Sequence, residues 1–554
     1  MKLFVTGLLF FLSTHTIAAT PDWSEKAPAP GANPYQLPPA QFSPMRDSGR
    51  IHAQIYPVGI TGILPPYEPI RHLVEDNSKN PLREFLNNLF RTASGYRSIE
   101  DLLKDLGLHD YPQASDQGVY AVPYPNGIRP DHAMGFGLIE TNQGTGFTFS
   151  CAACHSANLF GKTVLGMTNR FPKANEFFIK AKKASELIEP GVFKLYSGAT
   201  QGETELMKDF KKNMRSVGLK QPLVLGLDTS LAQVSLSLNH RNPDAYASFS
   251  DRYAFSPRPD AILDHNPADS KPAVWWNVKY KNRWLSDGSV VSGNPIFTNI
   301  LWNEIGRGTD LVQLESWLAQ NEQTIQEITT AVFSSEAPRF TDFFPASKID
   351  LGLAKQGEQI FNNTCARCHG YYDKAWNLPN ADQLSPEEKL KTTLVRYKEQ
   401  TQVKDVGTDP YRYRGMKSLE QLNNLAISKK NNILIRAQEG YVPPPLVGIW
   451  ARWPYFHNNS APSLCAVLSA AKDRPRFYYS GEAQSPATDF DADCNGYPLG
   501  KATPESWKVS EHLYDTRKPG MGNQGHDEDI FLENGEELLL PEQKRALIQF
   551  LQTL

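Results

Sequence analysis

Two copies of one pentapeptide pattern constrain this chain more than any other feature: Cys151-Ala152-Ala153-Cys154-His155 and Cys365-Ala366-Arg367-Cys368-His369. Two thiols one helical turn apart can add to the vinyl groups of a haem and leave thioethers, and the adjacent imidazole then reaches the iron as proximal ligand. Each copy therefore has the form of a c-type haem attachment site. Cys151, Cys154, Cys365 and Cys368 would carry two covalently bound haems, with His155 and His369 on the irons. The competing assignments are dithiol redox or zinc motifs that happen to be followed by His. With only six cysteines in 554 residues, two accidental copies are far from expectation.

The amino end points the same way. Lys2 is followed by an apolar run from Leu3 to Leu12 and then by small residues at Ala18, Ala19 and Thr20, the pattern of a secretory signal peptide over residues 1–20. The run is short for a membrane span, which takes roughly 20 apolar residues, and no later segment reaches that length without charge or proline. The expectation is a mature protein without a membrane span, periplasmic or secreted. In such an oxidising compartment Cys465 and Cys494 are expected to form a disulfide worth roughly 3 to 4 kcal/mol in the chain-entropy model; two buried free thiols are the alternative. A formal net charge of −3 argues against nucleic acid as a partner.

Residues 21–45 are rich in Pro, Ala, Gly and Ser and read as an extended arm. Residues 46–345 would form an N-terminal haem domain, in which Asn80 to Leu106 and Glu176 to Ile188 have helical spacing. Residues 346–554 would form a C-terminal cytochrome c-like haem domain. Its first helix, Leu353 to Asn362, carries Gly357 and Phe361 on one face, and its last, Pro541 to Leu554, carries Leu547, Ile548 and Leu551 on one stripe. Ser385-Pro386-Glu387-Glu388 is a capping box announcing a further helix, and Pro443-Pro444-Pro445 and Lys518 to Gly525 are loops. The fold class is mainly α: two cytochrome c-like domains with long loops and few short strands.

The sixth positions on the irons decide function, because a filled one favours electron transfer and an open one permits chemistry. For the second haem, His526 lies in a glycine loop shortly before the last helix; His457 and Met521 are rivals. For the first, His132, Met134 and Met167 are near in sequence, with no motif around them. Trp275-Trp276 and Trp284 form an aromatic cluster between the two motifs, readable either as an electron conduit or as ordinary core.

Two Cys-x-x-Cys-His sites, Gly407-Thr408-Asp409 after the second, and the run Pro443 to Leu464 together resemble the bacterial di-haem cytochrome c peroxidase superfamily. Ala273-Val274-Trp275-Trp276 with Lys279 and Lys281, and the late Gly525-His526, are most similar to its rubber oxygenase branch. The resemblance covers roughly residues 115 to 554. It implies a reactive amino-terminal haem open to peroxide or O2, and a six-coordinate carboxy-terminal haem as electron reservoir. It also implies His369 and His526 as ligands of the second iron, Trp276 between the haems, and His457 beside the second haem without binding its iron. A peroxidase of this kind is expected to place a carboxylate opposite the first iron, for which Glu176 and Glu186 are candidates; a rubber oxygenase has an apolar pocket there. The chain is shorter than that branch leads one to expect.

The leading expectation is an exported di-haem c-type oxidoreductase, drawing electrons from a periplasmic donor and acting with peroxide or O2, the latter on a hydrophobic small molecule. The alternatives are a pure electron-transfer cytochrome and a maturation factor that oxidises a partner protein. Calcium between the haem modules has no sequence signature.

Overall fold

Side-chain caps start several of the helices. In the computed structural model, which describes residues 20–227, 230–240 and 268–554, the first helix is α1 (Pro39–His52). It is followed by α2 (Tyr67–Glu75), α3 (Pro81–Ser94) and α4 (Ile99–Asp105). Asn80 caps α3 by accepting from Leu82 and Arg83 N–H, and Ser98 caps α4 through Asp101 N–H; each such cap contributes about 1 kcal/mol. The leader read over residues 1–20 lies, apart from Thr20, outside the described residues.

The arm is shorter than its composition implied. Pro39 occupies the first helical turn, where its fixed φ and missing N–H suit a helix start, so α1 begins within the span read as extended. Residues 20–38 lie against the 279–284 segment. There Trp23 meets Trp284 and Phe333 edge-on at 6.4 and 5.7 Å, and Asn282 Nδ2 donates to Ala27 O.

The fold is mainly helical, and among the described residues strands occur only as two-stranded antiparallel pairs. β1 (Phe136–Thr141) pairs with β2 (Gly144–Phe149), and β3 (Ser156–Leu159) with β4 (Lys162–Leu165), on either side of the first motif. Then come α5 (Ala174–Leu187), α6 (Pro190–Ser197), α7 (Gln201–Met214), α8 (Ser230–His240), β5 (Val290–Ser292), α9 (Pro295–Gly306) and α10 (Glu322–Phe333). α1 crosses α10 through Gly49, where a Cβ would come within 1.9 Å of Glu327 O.

α11 (Leu351–Thr364), capped by Asp350, runs into Cys365, and α12 (Pro541–Leu551) packs across it. Gly357 makes that crossing close: a Cβ there would sit 2.0 Å from Ala546 O. Ser385 forms its capping box with Glu388, but the helix lasts one turn, Pro386–Lys389. The chain then leaves as β7 (Thr392–Arg396) to pair with β6 (Tyr371–Lys374). Cys465 and Cys494 are joined by a disulfide.

The apolar cores cross the boundary expected at residue 345. Met416, Leu419, Leu422, Ile433 and Ile435 pack with Tyr56, Leu231, Ile300 and Ile328, helped by β5 pairing with β8 (Leu434–Ile435). In return Leu159, Val164, Met167, Val274 and Trp276 pack into the core of the second half. Among the described residues no helix is long and apolar enough to cross a membrane.

Candidate functional site

Both pentapeptides open onto one cavity of about 1220 Å³, lined by Cys151, Cys154 and His155 and by Cys365, Cys368 and His369. Typical small-ligand sites span about 300–1,000 Å³, so the space exceeds that of one such ligand. β2 delivers the chain to the first motif, where Ser150 caps the turn Cys151–Ala153. Asn169 pins it by donating from Nδ2 to Ala153 O at 2.8 Å and from its backbone N–H to Cys154 O at 3.0 Å. The second motif follows α11 directly as a short helix, Ala366–His369.

The two motif histidines are held alike. His155 Nδ1 lies 2.9 Å from Ala273 O and His369 Nδ1 2.8 Å from Pro444 O. A carbonyl can only accept, so Nδ1 carries the hydrogen in both rings and Nε2 is left bare for a metal. Burial pulls His155 down to about 4 and lowers His369, keeping both imidazoles neutral as ligands must be. The two carbonyl frames are also joined to each other: Trp276 Nε1 donates to Val447 O at 2.9 Å and Asn277 Nδ2 to Pro445 O at 2.8 Å. Trp276 is fully buried in the core and stands behind the cavity wall, whereas Asn277 lines it.

His526 faces His369. Their ring centroids are 6.3 Å apart, and two imidazoles on opposite sides of one iron, with iron–nitrogen bonds of about 2 Å, place their centroids roughly 6 Å apart. The loop reaches this position because Gly525 has φ +73° and lies against Gly407, where any Cβ would come within 2.2 Å of the backbone. His526 N–H donates to Val406 O at 2.7 Å, Arg474 Nη1 donates to Gly525 O at 2.6 Å, and Asp409 accepts from Gly522 N–H at 3.2 Å. Burial, with repulsion from His369 and Arg474, holds His526 neutral at about 3.

The rivals sit elsewhere. His457 lines the cavity but stacks on Tyr441 at 3.9 Å with its Nε2 buried and unpartnered, and Met521 is core, away from the cavity wall. His132, Met134 and Met167 do not line the cavity; His132 packs edge-on to Phe136 at 5.3 Å and both methionines are buried in cores. Glu176 and Glu186 are also absent from the wall, Glu186 being exposed and Glu176 raised by burial.

Near the first motif the wall is built by Tyr56, Phe149, Phe178, Leu231, Ile300 and Trp302. The amides there are engaged with each other, Asn175 Nδ2 donating to Gln233 at 2.9 Å and Gln233 Nε2 to Gly306 O at 3.0 Å. Arg307 donates to Thr148 and to Phe149 O at 3.0 and 2.8 Å, with its guanidinium 4.2 Å over the Tyr56 ring. Among the described residues, the carboxylates lining the cavity are Asp405, Asp527, Glu528 and Asp529, all from loops of the second half. Sequence reasoning missed Tyr56 and Arg307. Their signal was absent because they come from distant parts of the chain and meet through Arg307 on Thr148 and Phe149 O and over the Tyr56 ring.

The thiols and histidines fit a haem better than the competing assignments. Burial raises the Cys151 thiol to about 11 and Cys365 to about 12, whereas reactive dithiol motifs lower a thiol. Among the described residues no group of three or more His, Cys, Asp or Glu converges as a metal cage.

Residues 440–479 match a family described as RoxA-like, cytochrome c-like. The matched stretch supplies Pro444, the partner of His369, together with His457 and Arg474, and it marks this part of the chain as cytochrome c-like, supporting a haem. Two Sinorhizobium fredii proteins are also similar. One, named "Uncharacterized protein y4iJ", is 24% identical over 480 residues, which is 73% of this chain and 76% of the relative. The other, "Uncharacterized protein y4iM", is 27% identical over 298 residues, 47% of this chain and 57% of the relative.

Proposed function

We propose that the chain is an exported di-haem c-type oxidoreductase whose two centres are unequal. Cys151, Cys154 and His155 would hold the first haem; Cys365, Cys368, His369 and His526 would hold the second. The observation that carries this reading is the asymmetry of the wall. His526 stands 6.3 Å from His369, whereas the other histidine lining the cavity among the described residues, His457, is stacked on Tyr441.

A c-type haem, when bound, supplies iron that can take O2 or peroxide at an open position. The chain's own residues do the rest. His155 and His369, oriented by Ala273 O and Pro444 O, would each present a bare Nε2 to an iron. Phe149, Phe178, Leu231 and Ile300 keep water from the first centre, and Arg307 braces that wall through Phe149 and Tyr56. Trp276, whose Nε1 donates to Val447 O across the two carbonyl frames, is the candidate conduit for an electron passing between the centres. The aromatic and aliphatic side chains of this wall favour O2 and a hydrophobic small molecule as reactants.

The test is spectroscopic. The reduced protein is expected to respond to O2 rapidly and to one equivalent of peroxide slowly. Rapid stoichiometric oxidation by peroxide would instead place the chain with the peroxidases.

A further inference from the structure

The cavity wall carries positive charge that the fold leaves uncompensated. Lys271, Lys281 and Arg452 all line it. Lys271 stands two residues before Ala273, the partner of His155, and donates from Nζ to Pro454 O at 2.5 Å and Arg452 O at 3.4 Å. Arg452 Nη1 donates to Pro445 O at 3.0 Å, beside the carbonyl that anchors His369. These partners are neutral carbonyls. Lys281 is only 8% exposed, and the carboxylate that acts on it, Asp287, is committed to Arg412 Nε at 2.9 Å.

The remaining influences are repulsive: Arg452 and Arg170 act on Lys271, and Arg452 acts on Lys281. None of the carboxylates lining the cavity acts on the three. Burial without a counter-charge is costly for such cations and pulls both lysines down, Lys281 to about 8. An anion in the cavity, bound through the flat Arg452 fork and the two ammonium groups, removes that cost.

We propose that Lys271, Lys281 and Arg452 form a carboxylate-holding cage between the two motifs, and that the carboxylates it holds are the propionate groups of the attached haems. The cage rests on the two-haem reading above. A free organic acid has the same chemistry and would enter from solvent, so the experiment separates the two sources.

The holoprotein is first assayed for two covalent haems per chain by its pyridine haemochrome; a lower count refutes the two-haem reading itself. Midpoint potentials are then measured by spectroelectrochemistry for the unaltered protein, Lys281→Met and Lys281→Arg, with acetate titrated into each. The expected result is two haems in all three and a lower midpoint potential in Lys281→Met, because losing a cation favours the ferric form. Restoration in Lys281→Arg and no saturable response to acetate complete the expected pattern. Should Lys281→Met fail to fold, Lys271→Met reads the same potential. Unchanged potentials in the methionine variants would overturn the cage. A saturable acetate shift in the unaltered protein that disappears in Lys281→Met would assign the cage to a free acid and overturn the propionate assignment.

Discussion

At the scale of single residues, His526 carries the most weight. Its loop is placed by Gly525 against Gly407 and by Arg474 on Gly525 O, so removing the imidazole leaves in place what holds the loop. His526→Ala is expected to convert the low-spin centre to high spin while the covalent haem content, read from the pyridine haemochrome, stays at two. A low-spin spectrum unaltered by the substitution would move the role to His457, which also lines the cavity. What was legible at this scale is what local spacing encodes: the two pentapeptides, and a histidine in a glycine loop. Lys271, Lys281 and Arg452 were not legible as a set. A lone cation in sequence does not say whether a carboxylate will meet it, and here the acid near Lys281 is taken by Arg412.

At the scale of elements, the crossing of α11 and α12 positions the second motif. Gly357 sits where the helices come closest, facing the backbone of Ala546 at what would be 2.0 Å from a Cβ. Backbone cannot step aside as a flexible side chain can. Gly357→Ala should therefore cost about 1–3 kcal/mol, the range for overpacking a core, seen as a lower denaturation midpoint. A midpoint equal to the parent's would mean that the helices part without cost.

The amphipathic periods of these helices were readable: Gly357 and Phe361 are buried on one face of α11, and Leu547, Ile548 and Leu551 on α12. The start of α1 inside the proline-rich arm was misread, because Pro39 serves equally as linker residue and first-turn residue. The helix announced by the capping box at Ser385 is present and runs one turn, Pro386–Lys389. A capping box marks where a helix starts, and the β6–β7 pairing decides where it stops.

At the scale of the whole molecule, the two halves share cores and a wall. Residues 416–435 belong with the first half's packing and residues 274–276 reach both, exchanges that no local pattern announces because each depends on surfaces formed elsewhere in the chain. The result is a frame in which both motif histidines rest on carbonyls of two cross-linked segments, with His526 facing His369 and apolar side chains lining the cavity near His155. Low-temperature electron paramagnetic resonance of the purified ferric protein reads whether the two centres are unequal. The expected spectrum holds one low-spin signal from the His369/His526 centre and one high-spin signal from the His155 centre in equal amounts. Two low-spin signals and no high-spin component in the oxidised and half-reduced protein would contradict it.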